Sequence, residues 1–216
     1  MKTINITNGD YFNKYISQRH AGCFVAFKEA MIEGSPLFPL FDDSFCKERV
    51  NTHSPSSSVL DYKKHMGEFI TINFNDFDEV ILWFGKDMFC QMNLLTVLAY
   101  LMQIDYKGNV YLNTIVDETN KIIKAKEKIN LSNYINIYKS VFIDNKPIRV
   151  NNLYLEKAIQ DYLLLKDNNS PLSLLIKQNV HLPKQELFEL IWENTRHLGL
   201  GDTQILKLIQ KFKKEN

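Results

Sequence analysis

The chain has 216 residues, 45% of them apolar and 24% charged, and its net charge at pH 7 is +1. A balance so near neutrality provides no overall field to draw in nucleic acid or a membrane surface, and the composition is that of an ordinary globular protein. The length fits one large domain, or one domain with a small helical appendage.

Residues 2–7, "KTINIT", alternate and are β-rich, which predicts a first strand ending in the turn Asn8-Gly9-Asp10. Apolar residues at 11, 12, 15 and 16 predict a short helix over 11–20. "GCFVAFKEAM", 22–31, reads as a second strand with Glu29 near its end. Gly34, Pro36 and Pro39 then impose a loop over 32–43, and Asp43 or Ser44 caps a helix that follows. The Ser/Pro-rich stretch 51–65 reads as a surface loop.

"FDEVILWF", 77–84, is the clearest strand, and its continuous apolar run predicts a central place in a sheet covered on both faces. A broadly apolar helix over 90–103 and a strand over 108–116 complete a β-α-β-(loop, helix)-β-α-β order. That order predicts an α/β fold: a mostly parallel, doubly wound sheet of four to five strands occupying 1–117. Residues 118–150 carry no clear pattern and stand as a connecting segment. Residues 151–216 read as a helical C-terminal region, with caps at Asn151 or Asn152, Ser170 before Pro171, and Asp202.

Cys23, Cys46 and Cys90 form an odd, sparse set without CxxC spacing, which argues against a disulfide framework and a structural zinc site. All three are expected to be reduced, with Cys23 and Cys90 buried among Phe24, Val25, Phe89 and Met92. The N-terminal segment lacks an apolar run behind a basic one, and no stretch is long enough to span a bilayer, so a cytoplasmic location is expected. The basic tail reads as a solvated helix face, and nucleic-acid binding by this chain alone is not expected.

Ligands of open α/β sheets bind beyond the carboxyl ends of the strands. The polar residues expected there are Asn8, Gly9 and Asp10 after the first strand, Glu29, Glu33 and Gly34 after the second, Asp87 and Gln91 after the third, and Asp117 at the end of the fourth. Several carboxylates at one edge suit a hard cation such as Mg²⁺, and Asp10 and Asp87 are the candidate metal ligands. Glu33 is the candidate general base, Asp87 a second catalytic candidate, and Asn8 and Gln91 would orient a ligand. The alternative reading of Asp87 is a helix cap, since Asp and Asn favour strand-to-helix turns. Arg49 either clamps a phosphate or carboxylate, or pairs with a surface acid such as Asp42 or Glu48. The common phosphate-loop, hydrolase and zinc-protease motifs are absent.

"INITNGD", "KEAMIEGSP", "FDEVILWFGKDMFCQMNLL" and "TRHLGLGDTQILKLI", in that order, resemble the bacterial proteins grouped as domain of unknown function 1835. The matching positions are Asn8, Gly9, Asp10, Glu33, Gly34, Pro36, Trp83, Asp87, Phe89, Gln91 and Leu94. Cys90 stands where that pattern usually has a second acid, which weakens a two-carboxylate mechanism. The resemblance implies the fold and a site at the sheet edge, and no specific activity. Two functions follow as expectations: binding of a small phosphorylated ligand or nucleotide, with or without metal assistance, or a regulatory or adaptor role through protein contacts of the helical region, where an oligomer is possible.

Overall fold

The computed structural model describes residues 1–53, 55–116 and 119–214. Five strands form one sheet: β1 (Thr3–Asn8), β2 (Cys23–Phe27), β3 (Glu79–Gly85), β4 (Asn109–Val116) and β5 (Lys121–Ile129). Their order across the sheet is β2-β1-β3-β4-β5. The first four run parallel, with Ile6 opposite Val25 on one side and Leu82 on the other. β5 runs antiparallel to β4 at the edge. The central place expected for 77–84 is occupied by β3, whose seven residues are buried except Ile81.

Helix α1 (Asp10–Ser17) covers one face, seating Phe12 and Ile16 on Trp83 and Ile115. The larger core lies on the other face, where Ile4, Ile6, Val25, Val80, Leu82 and Leu112 meet α5 (Met88–Gln103). Twelve of the sixteen α5 residues are buried, so this helix runs through the interior. Each large apolar side chain so enclosed contributes roughly 1.5–3 kcal/mol. The sheet is thus wound on both faces, as the alternation of elements predicts.

The chain between β2 and β3 forms α2 (Asp43–His53), α3 (Val59–Met66) and α4 (Glu68–Thr71). The loop expected over 51–65 is therefore largely helical. Its stop-and-start signal is local: Ser58 and Asp61 make a reciprocal capping box, Ser58 accepting from the Asp61 amide and the Asp61 carboxylate accepting from the Ser58 amide. The previously unassigned segment supplies β5, then α6 (Tyr134–Tyr138) continued by a wider turn over Lys139–Ile143. Asp117 lies outside the described residues.

The helical C-terminal region comprises α7 (Leu153–Lys166), α8 (Pro171–Asn179), α9 (Lys184–Thr195) and α10 (Asp202–Lys214). Asn152 caps α7 and Ser170 caps α8 ahead of Pro171, as the sequence predicts. Leu155, Ile159, Ile205 and Phe212 belong to the same core as the sheet. Among the described residues no helix is long and apolar enough to cross a membrane. Cys46 and Cys90 are buried, but Cys23 is exposed, contrary to expectation. It is the first residue of β2, an edge strand whose burial begins only further along, at Val25.

Candidate functional site

β1 leads through α1 to β2 on one side, whereas β3 leads through α5 to β4 on the other. The carboxyl ends of β1 and β3 therefore diverge, as at the crevice where open α/β sheets take their ligands. Here polar side chains stitch that crevice together. Asn93 of α5 donates from Nδ2 to Asn8 Oδ1 at 2.8 Å and to the Glu29 carbonyl at 2.6 Å, and its Oδ1 accepts from the Met31 amide at 3.0 Å. Asn8 also donates to Cys90 Sγ at 3.0 Å.

A cavity of about 670 Å³ opens beside this seam, over the ends of β1 and β2. Asn8, Gly9 and Asp10 form one wall, and Lys28, Glu29 and Ala30 the next. Arg49 and His53 of α2, Asp61, Tyr62 and His65 of α3, and Phe89 of α5 close it. Gly9 has φ +83°, and a side chain there would meet nothing within 4 Å, so this wall of the cavity is free of side-chain bulk, while the Gly9 amide itself donates to the Phe27 carbonyl at 2.9 Å. The start of α1 has no side-chain cap. Asp10 is 70% exposed and pairs with Lys28 at 3.3 Å.

The base of the cavity is a buried charged cluster. Arg49 grips Glu29 through two bonds, Nε to Oε1 at 3.1 Å and Nη2 to Oε2 at 2.7 Å. The Tyr62 hydroxyl donates to Glu29 Oε1 at 2.6 Å, and the Ala30 amide donates to Oε2 at 2.9 Å. Arg49 also donates to the carbonyls of Glu33 and Ala30. Burial would raise the Glu29 pKa, but hydrogen bonds from His53, Arg49 and Tyr62 and the Arg49 charge hold it down at about 2. Burial beside an anionic carboxylate pushes the Tyr62 phenol strongly up.

His53 joins this cluster to the next. Its Nε2 lies 2.6 Å from Arg49 Nη2 and 3.3 Å from Glu29 Oε2, and its Nδ1 lies 3.3 Å from Glu33 Oε2. Nδ1 carries an N–H that donates to Glu33, while Nε2 lies between a donor, Arg49, and an acceptor, Glu29, so its role changes with protonation of the ring. Burial opposes the charged ring, while hydrogen bonds to the two carboxylates favour it and leave its pKa raised. Both ring nitrogens are thus engaged within the protein.

The candidates from sequence fall in different places. Asn8, Gly9, Asp10 and Arg49 line the cavity. Arg49 is buried, and Glu29 rather than Asp42 or Glu48 answers its charge. Asp87 is not among the cavity-lining residues. Its side chain caps α5, accepting from the Cys90 amide at 2.9 Å, and packs against the backbone of Gly199. Of the two expected metal ligands the cavity is lined by Asp10 and not by Asp87, and among the described residues no group of three or more His, Cys, Asp or Glu is placed to hold a metal ion.

Glu33 points away toward α10, where Gln204 donates at 2.8 Å and Lys207 makes a short contact. Burial would raise its pKa, but hydrogen bonds from His53, Lys207 and Gln204 hold it at about 2, a poor setting for a general base. Gly34 is required by its φ of +70° and by Thr52, whose Oγ1 would lie 2.2 Å from an added Cβ. Gln91 is wholly buried and donates to the Gly85 carbonyl at 2.6 Å, which makes it a brace for the β3–α5 turn. His53 and Tyr62 belong to no motif in the sequence, where Glu29 stands only as an edge acid. Their one available signal was Arg49, which a surface acid does not explain once it is placed on the inner face of α2.

Comparison with protein-family models, with curated proteins and with solved structures finds no match to this chain. The resemblance drawn from the sequence rests on the quoted segments alone.

Proposed function

We propose that the chain binds a small phosphorylated ligand or nucleotide in the cavity over the ends of β1 and β2. The observation that carries this reading is the wall made by Gly9, the uncapped start of α1 and Lys28. A helix start without a side-chain cap, a glycine that puts no side chain in the way and an ammonium group suit a phosphate. Phe89 and Tyr62 supply apolar surface for the remainder of the ligand. The buried Arg49 is already neutralised by Glu29, so its part is to hold the floor of the cavity and not to grip the ligand. Binding without catalysis is favoured because Glu29, Glu33 and His53 are each spent on one another.

Asp10 supplies the test. In this reading its carboxylate competes with the ligand for Lys28, so Asp10→Asn strengthens binding and Lys28→Ala weakens it. In a metal-assisted site Asp10→Asn abolishes binding. Thermal shift with ATP, ADP and AMP, each with and without Mg²⁺, reads the outcome as a change in melting temperature. No shift with any nucleotide or with sugar phosphates, or loss of binding in Asp10→Asn, overturns the proposal.

An adaptor role is the second reading, supported by apolar side chains left in solvent on the C-terminal helices: Leu153 is 81% exposed, Leu164 49% and Leu174 45%. Sedimentation of the full chain over a range of concentrations tests it for self-association, which Leu153→Lys with Leu164→Lys would abolish.

A further inference from the structure

Glu33 carries more contacts than a loop acid needs. Its Oε2 takes both His53 Nδ1 and Lys207 Nζ, while its Oε1 accepts from Gln204. Two of these partners belong to α10, and the third is the ring that reaches back to Glu29 at the base of the cavity. The cavity and the last helix are therefore joined by one continuous polar chain, Glu29 to His53 to Glu33 to Lys207 and Gln204.

We propose that His53 is a joint through which the state of the cavity and the docking of α10 regulate each other. The proposal rests on the cavity being a binding site for its biological meaning, but the joint itself is tested without any ligand. The charged and titratable groups around the ring are Glu29 and Glu33 after β2, Arg49 on its own helix, Tyr62 of α3 through Glu29, and Lys207 of α10 through Glu33. His65 and Asp61 stand with it around the cavity.

The sign of the coupling follows from the shared oxygen. A neutral ring donates one ordinary hydrogen bond to Glu33. A protonated ring places a second cation beside Lys207 on the same Oε2, so each cation weakens the other's hold. At Nε2 it turns an N–H toward Arg49 Nη2, a donor 2.6 Å away, and toward Glu29 Oε2, an acceptor at 3.3 Å, so the cavity end of the ring tightens on Glu29 as its other end crowds Lys207. Protonation of His53 thus loosens α10, and by linkage release of α10 raises the affinity of His53 for a proton. Global unfolding carries the opposite sign, because the two carboxylates that favour the charged ring are lost when the whole chain unfolds. The two processes are therefore separable in one measurement.

Amide hydrogen exchange of the full chain, corrected for intrinsic rates, is to be followed from about pH 8 to about pH 5.5, with the His53 ring titrated in parallel by NMR. Protection across 202–214 falls on the order of fivefold toward the acid end, with a midpoint matching His53, while core amides of β1 and β3 do not fall with it. Lys207→Met, a change at a partly exposed position, raises the His53 midpoint by roughly half a unit. His53→Gln makes α10 protection independent of pH over this range. An α10 signal that is flat in the wild type, that persists in His53→Gln, or an unmoved His53 midpoint in Lys207→Met, overturns the joint. A cavity that takes no nucleotide while α10 still responds to His53 overturns the ligand reading alone.

Discussion

Arg49 and Glu29 lie side by side as a two-pronged pair, with 0% and 1% of their side chains exposed. Taking both charges out of water costs heavily, and the pair is tolerated because every oxygen of Glu29 and most Arg49 donors are met by further hydrogen bonds. Removing one partner strands the other. Arg49→Met is expected to cost about 3–5 kcal/mol in urea unfolding, and Glu29→Gln with Arg49→Met together much less than the sum of the singles. Additive losses would show that the two side chains act independently.

Asp87 accepts from the Cys90 amide and does not line the cavity, so its part is the start of α5. Asp87→Asn should leave stability nearly unchanged and Asp87→Ala should cost about 1 kcal/mol, because Asn caps as well as Asp. Retained nucleotide binding in Asp87→Asn is the matching expectation. Loss of binding in a variant of unchanged stability would return Asp87 to the site.

Gly199 tests the same corner from the other side. Its φ is +72°, and an added Cβ would lie 2.2 Å from Asp87 Oδ1. That oxygen is held by the Cys90 amide and cannot swing away without losing the cap. Gly199→Ala is expected to cost about 1–3 kcal/mol in denaturant, with part of that loss relieved in Asp87→Ala.

Acid stability follows from Glu29 and Glu33, both held at about 2 against an ordinary value of 4.5. A folded-state pKa below the unfolded one contributes stability that is present above the unfolded value and lost as pH falls through the folded one. The urea midpoint should therefore hold down to about pH 5 and drop steeply toward about pH 2. Glu33→Gln should flatten part of that drop by giving up the same stability near neutrality, since an amide still accepts from Gln204 but no longer answers the charge of Lys207.

The cysteines divide by position. Cys23 is exposed and should react first with a thiol reagent in the native protein, whereas Cys46 and Cys90 are buried and wait for unfolding. Partial burial, aided by the charge of Glu68, pushes the Cys23 thiol up, so its reaction should be slower than that of a free thiol and should accelerate with pH. Immediate modification of Cys90 would mean that the β3–α5 corner opens readily.

The architecture was readable because its signals are local. "VILWF" is apolar at every position, as a covered central strand must be, and Ser170-Pro171 marks a helix start on its own. β5 escaped because its nine residues are nearly all exposed and four are lysines, so no apolar alternation survives at this edge. The site was readable only in part. Gly9 and Asp10 follow β1 directly and fall where the topology sends them. Glu33 and Asp87 occupy similar positions in sequence but turn away: Asp87 is taken up by the local cap to Cys90, whereas Glu33 is drawn to Lys207 and Gln204, far along the chain. Pairings at such separations leave no mark in a local pattern.

Asn93 closes three long loops at once: its side chain reaches Asn8, Glu29 and Met31 across 85, 64 and 62 residues. The entropy of bringing such distant segments together must be met before any of these bonds forms. In kinetic terms the cavity rim is a late product of folding. Its bonds should be absent from the transition state, so Asn93→Ala should accelerate unfolding and leave the folding rate almost untouched. A collapsed intermediate with a formed sheet would still lack the pocket, and so a ligand of this cavity would slow unfolding without acting as a template for folding.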